Sequence, residues 1–291
     1  MNESLSQSLR RGEAAGMRYR LALDLPRSWG RAGSYLAKRA GSSREFHDHR
    51  EYLPGDDLRH IDWSAYARSD RLIVKLFQEE VSPHLDLLLD ASRSMDLEDS
   101  LKASVATGMA ALLAQAASNA GYSYRPWMAA RTCLPLGSLN EPSALWQDLE
   151  FNADTPLDQA LQNGLPEWRP QGLRVLVSDL LWPGDPIRTL RLMGRGAARL
   201  AVIQVLARED VDPQAYGNIR LLDRESGKTR EMRVDASVLR GYRRGLTRHR
   251  DAWQAACRQS AAPMVTLVAE EVVEAGWRLD DLVAAQILEA A

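Results

Sequence analysis

The chain has 291 residues, of which 45% are hydrophobic and 26% charged, with a formal net charge of −2. It can bury a sizeable core in one or two domains, and it has no global basic field to draw in nucleic acid or anionic lipid. No apolar stretch approaches bilayer length, Met1 to Arg11 lack the apolar core of a signal peptide, and the two cysteines, Cys133 and Cys257, cannot build a disulfide framework or a cysteine zinc site; the expectation is a cytoplasmic protein with no membrane insertion and no nucleic-acid partner. Nearly all the positive charge is arginine, lysine occurring only at positions 38, 75, 102 and 228.

Residues 1 to about 40 read as helical or irregular. Residues 41–70 differ in texture. Pro54-Gly55-Asp56-Asp57 is a turn by chemistry, because proline fixes φ, glycine permits positive φ and aspartate bonds back to the chain. Acids and bases alternate around it with Tyr52, Ile61, Trp63 and Tyr66, which suits either a paired, partly buried polar network or a solvated charged loop. His47, His49 and His60 bring imidazoles to this segment, but no further zinc ligand is assured. Leu72 to Val81 is β-rich.

The central stretch follows. An apolar run, Leu87 to Leu89, stops at Asp90, and Ser92 and Ser94 come next at alternate positions. A short apolar run closed by polar residues reads as a buried strand that delivers its carboxyl end to a loop. In an open α/β sheet ligands bind there. One carboxylate and two hydroxyls can converge on a hard cation such as Mg²⁺. The alternative is a polar turn whose side chains bond their own backbone.

Leu101, Val105, Met109, Leu112 and Leu113 recur at helical spacing up to Gly121. Tyr122–Met128 and Arg131–Leu136 read as short strands, and Glu141–Leu149 as a short helix. Thr155 before Pro156 reads as a helix start, with threonine as N-cap and proline in first position. Leu173–Val177 is a second buried strand, ending in Ser178-Asp179. A helix over 186–195 and a strand over Leu200–Leu206 complete an alternation that predicts a doubly wound, mostly parallel α/β sheet.

Gly217–Asp223 and Glu231–Val234 flank a hairpin turn. Gly227-Lys228-Thr229 is no P-loop, since Leu222 stands where the first glycine belongs. The helix predicted over 236–260 carries Arg240, Arg243, Arg244, Arg248 and Arg250, a pattern that fits a solvated face. Met264–Val268 is a last strand, and Leu279–Leu288 a closing helix.

Asp90, Ser92 and Ser94, then Thr155, then Asp179 thus stand at the carboxyl edge of one predicted sheet. The set resembles the metal-ion-dependent adhesion site of von Willebrand factor A domains, where an Asp-x-Ser-x-Ser motif, a threonine and an aspartate from three loops hold a divalent cation. That resemblance implies metal-ligand roles for Asp90, Ser92, Ser94, Thr155 and Asp179, with Mg²⁺ or Mn²⁺ as the ion. Two departures stand out: Arg93 separates the serines, and Leu180-Leu181-Trp182 follows Asp179 where many such domains have glycine.

A narrower resemblance runs through Arg50-Glu51-Tyr52-Leu53-Pro54-Gly55-Asp56-Asp57, Ile61-Asp62-Trp63, Ala67-Arg68, Leu76-Phe77, Glu79-Glu80, Asp90-Ala91-Ser92-Arg93-Ser94-Met95 and Leu221 to Gly227. This looks like the bacterial domain-of-unknown-function family fifty-eight, whose members are often encoded beside MoxR-type AAA+ ATPases. The resemblance implies a von Willebrand factor A-like fold over 81–291, with a hairpin insertion around 212–235. The expectation for the family-specific, β-rich segment over 1–80 is a small lobe of its own. It further implies a non-enzymatic protein-binding module that partners a MoxR-type ATPase, and other von Willebrand factor A-like proteins, in the maturation of proteins or complexes. A phosphatase-like hydrolase and a metal-free structural scaffold are the alternatives.

Overall fold

A computed structural model of the protein describes residues 3–23, 44–56, 58–79, 83–97, 100–223 and 227–291. These fall into two compact units, one holding 3–23 and 83–291, the other the described residues of 44–79. Asp57, residues 24–43 and the 224–226 hairpin tip lie outside the described residues.

In chain order the elements are α1 (Glu3–Gly16), β1 (Tyr19–Leu21), β2 (Arg44–Glu51), α2 (Trp63–Ser69), β3 (Ile73–Glu79), β4 (His84–Asp90), α3 (Lys102–Asn119), β5 (Ser123–Ala129), β6 (Cys133–Pro135), α4 (Leu157–Asn163), β7 (Leu173–Ser178), α5 (Pro186–Gly194), β8 (Arg199–Leu206), α6 (Arg208–Val211), β9 (Gly217–Leu222), β10 (Thr229–Val234), α7 (Ala236–Gln259), β11 (Met264–Val268), α8 (Ala269–Glu274), α9 (Asp280–Ala284) and β12 (Leu288–Ala290).

The larger unit is built on a six-stranded sheet of order β11-β8-β7-β4-β5-β6. All its pairings are parallel except β5–β6. Both faces are covered, and strand alternation sorts the side chains between them. Leu85, Leu87 and Leu89 face a core shared with α1, α3, α8 and α9. Leu88, with Leu176 and Val202, faces α4, α5 and α7, whose Leu161, Met193 and Trp253 complete that layer. The chain leaves β4 toward β5 and leaves β7 toward β8, so the connections diverge between β4 and β7. The carboxyl ends of these two strands flank the crevice where such sheets bind ligands.

Close helix packing explains why the N-terminal residues belong to this unit rather than to a 1–80 lobe. A Cβ on Gly12 would fall 1.9 Å from the Gly108 carbonyl oxygen, so α1 and α3 approach backbone to backbone only because glycine stands there. Next, β1 pairs antiparallel with β12, Tyr19 opposite Ala290 and Leu21 opposite Leu288. The closing helix predicted over 279–288 is shorter than expected: α9 ends at Ala284 and the chain enters β12 at Leu288. Glu141–Leu149 is likewise not a helix: only Ser143–Leu145 turn, as a 3₁₀ segment. Trp146 is already extended and Asp148 has φ of 56°, which stops helix propagation. β9 and β10 form the predicted hairpin.

The smaller unit is the antiparallel pair β2–β3 with α2. The Pro54-Gly55 turn forms as read, with Gly55 at φ 107° and the Asp56 N–H donating to the Leu53 carbonyl at 3.0 Å. The polar residues pair. The Arg50 guanidinium donates to Asp56 at 2.6 Å, and Asp62 meets His49 Nε2 at 3.0 Å and Lys75 Nζ at 3.5 Å. Asp62 also caps α2, accepting from the Ser64 and Ala65 N–H groups at 3.0 Å each. Those bonds, Ala65 first and then His49, pull its carboxyl down to about 2. Among the described residues no group of three His, Cys, Asp or Glu side chains is placed to hold a metal ion.

Candidate functional site at the strand ends

Asp90 closes β4 and is 1% exposed. Its Oδ1 accepts the Ser92 N–H at 2.9 Å, and its Oδ2 accepts the Ser178 hydroxyl at 2.6 Å. Burial pushes the Asp90 carboxyl above its ordinary value and the nearby Asp179 charge adds to this, against the bonds from Ser178 and Ser92. The chain then makes a 3₁₀ turn, Arg93–Met95, which carries Ser94 back beside Ser92. Their hydroxyl oxygens are 3.0 Å apart. Ser92 is buried and Ser94 half-buried.

The Thr155 loop is held alongside. Ser92 and Ala153 form a parallel bridge, the Ala153 N–H donates to the Ala91 carbonyl at 2.9 Å, and the Arg93 N–H donates to the Ala153 carbonyl at 3.3 Å. The Arg93 side chain turns to the same loop, its Nε donating to the Asn152 carbonyl at 3.1 Å and its guanidinium pairing with Asp154 at 2.7 Å. Thr155 lies two positions past the bridge, half-buried. It does not cap a helix as its place before proline predicts: α4 starts at Leu157, with Pro156 as N-cap and no side-chain cap bond.

Asp179 behaves differently. It is 1% exposed, its Oδ1 accepts the Leu181 N–H at 3.0 Å, and its Oδ2 lies 3.0 Å from Lys102 Nζ. Its carbonyl accepts the Gln204 amide at 2.8 Å. Leu180 adopts φ of 58°, the left-handed backbone that glycine enters more easily. The Ser178 hydroxyl accepts the Leu180 N–H at 2.9 Å and steadies this turn. Lys102, at the start of α3, is fully buried and also lies 3.0 Å from Asp210 Oδ2. Burial alone would lower its pKa; the Asp179 and Asp210 carboxylates outweigh that and hold it above the ordinary lysine value.

The donors at the mouth are therefore all oxygen. The Ser92 and Ser94 hydroxyls lie side by side just past Asp90, with Thr155 on the adjoining loop, a donor chemistry that fits a hard divalent ion. Asp179 fits that set less well, because an ammonium already occupies its free oxygen. Sequence reading did not single out Ser178, Lys102, Asp210 or Gln204. Ser178 had a signal, standing beside Asp179 at a strand end. Lys102 had none, since its partner Asp179 is 77 positions away.

Fold and site together define a mixed α/β protein with a mostly parallel central sheet and a cluster of largely buried polar side chains at its carboxyl edge. The chain belongs to the family described as "Protein of unknown function DUF58", whose model matches residues 48–252. An uncharacterized protein of Mycobacterium tuberculosis is 28% identical over 255 residues, covering 81% of this chain and 78% of that protein. An uncharacterized protein of Mycobacterium avium is 36% identical over 101 residues, 34% of this chain and 58% of its own. Among solved structures, the conserved hypothetical protein BatB from Bacteroides thetaiotaomicron is similar at 11% identity and a TM-score of 0.38, over 69% of this chain and 99% of that one. Among the described residues no helix is long and apolar enough to cross a membrane.

Proposed function

We propose that the protein is a von Willebrand factor A-like binding module whose strand-end crevice takes a divalent cation and, through it, a carboxylate of a protein partner. One observation carries this reading: the Ser92 and Ser94 hydroxyls lie 3.0 Å apart just past the buried Asp90, at the point where the sheet connections diverge. Ser92, Ser94 and Thr155 would hold Mg²⁺ or Mn²⁺, with Asp90 behind them. When bound, the ion supplies an exposed positive face that a partner's Asp or Glu completes. The residues do the rest. Ser178 and the Ser92 N–H fix the Asp90 carboxylate, and the Ala153 bridge holds the threonine loop in register.

Binding is favoured over phosphatase-like chemistry because Ser92 occupies the place, two residues after the strand-end aspartate, where phosphoaspartate enzymes need a second acid to protonate the leaving group. On the strength of the family resemblance alone, we take the partner to be a MoxR-type AAA+ ATPase, alongside other von Willebrand factor A-like proteins, in protein or complex maturation in the cytoplasm. Titration of the protein with the MoxR-type ATPase of the same genome, with and without EDTA, tests this. Chelation and the Ser92→Ala/Ser94→Ala variant should each weaken association by about tenfold or more. Association that ignores both removes the metal from the mechanism. A metal-free scaffold is the second reading, favoured by the Lys102 ammonium already seated on Asp179.

A further inference from the structure

We infer that Lys102 is the built-in counter-cation of the strand-end crevice. Its ammonium neutralises Asp179, ties it to Asp210, and takes Asp179 out of any metal-ligand set. The last clause rests on the site proposed above; the first two stand without it.

The position of Lys102 is not explained by its helix. It is the first residue of α3, where a positive charge opposes the helix dipole. It is also fully buried, where an unpaired ammonium would be prohibitive. Two carboxylates at 3.0 Å account for it. Each acid is itself anchored. Asp179 Oδ1 holds the Leu181 N–H, and Asp210 Oδ2 holds the Ala207 N–H at 2.9 Å. One ammonium thus joins the segments that follow β4, β7 and β8, three connections at the carboxyl edge of the sheet.

The residue type matters. The chain uses arginine for nearly all its positive charge and has lysine at only four positions. A compact ammonium on a slender stem can be enclosed between two carboxylates, whereas a planar guanidinium needs more room. For Asp179 to reach an ion beside Ser92 and Ser94 it would have to leave Lys102 with Asp210 alone. That cost falls on a buried charge and holds the acid back.

Calorimetric titration of the full chain with Mg²⁺ and Mn²⁺, comparing wild type, K102M and D179N, tests the inference. K102M, which frees the Asp179 carboxylate, should bind the ion about tenfold more tightly than wild type or better, and D179N should stay within about threefold of wild type. K102M that binds no more tightly than wild type overturns the inference, as does a folded D179N that loses about tenfold or more. Where K102M does not fold, K102Q carries the same comparison. Wild type that gives no heat sinks the adhesion reading alone; K102M then still decides here, since gained binding supports the resident lysine and none overturns it.

Discussion

The Arg93 guanidinium pairs with the Asp154 carboxylate at 2.7 Å, so the residue between the two serines directs its charge at the neighbouring loop. An arginine inside an Asp-x-Ser-x-Ser run is thereby compatible with a cation site. The pair joins two strand-end loops already linked by the Ser92–Ala153 bridge.

Both members of that pair are largely exposed, at 44% and 65% of their side-chain surface. A double-mutant cycle of Arg93→Ala and Asp154→Ala should therefore give a coupling of no more than about 1 kcal/mol in urea unfolding. A larger coupling would show that the pair holds the loop in the folded state rather than decorating it.

Ser178 presents the opposite case. It is fully buried, and its hydroxyl is the donor to Asp90 Oδ2. Ser178→Ala leaves that buried oxygen without its donor and also removes the acceptor of the Leu180 N–H. Stability should fall by about 1–3 kcal/mol, read from the urea midpoint at constant slope.

Gly12→Ala tests the α1–α3 contact. The added methyl would lie 1.9 Å from the Gly108 carbonyl oxygen, which is backbone and cannot swing aside. Separating the helices should cost about 1–3 kcal/mol or more in thermal or urea unfolding. A Gly12→Ala protein as stable as wild type would mean that α1 does not pack there.

The smaller unit carries a pH signature. The Asp62 carboxyl is held down to about 2, against an ordinary value of 3.8, by the Ala65 N–H and His49 bonds. A lowered folded-state value means that the charged form stabilises the fold. The contribution is complete above the unfolded value and is lost as pH falls from about 4 through about 2. Hydrogen exchange of the α2 amides should accelerate over that window. Asp62→Asn should flatten the dependence; an unchanged profile would place the titration elsewhere.

Much of the fold is legible because burial on both faces writes itself into the chain. Leu87–Leu89 is an uninterrupted apolar run, Leu173–Val177 is apolar but for Arg174, and both lie in central strands. Gly217–Val234 reads as a hairpin because its turn chemistry is local. Elements fixed by distant partners are missed. β1 and β12 are three-residue strands whose pairing joins residues 19–21 with 288–290. The 141–149 segment has helix-like composition, yet its Trp146 is drawn into the core in extended form.

At the strand ends, the sequence by itself determined that Asp90, Ser92 and Ser94 leave one strand end together and that Asp179 leaves another. Side-chain type and strand periodicity are local properties, readable from neighbours. Only the tertiary structure decided which of the two acids an ammonium holds. Lys102 reaches Asp179 because the strand order sets β4 beside β7 and brings the start of α3 over both. Interactions between charges depend on distance in space, which spacing along the chain does not encode.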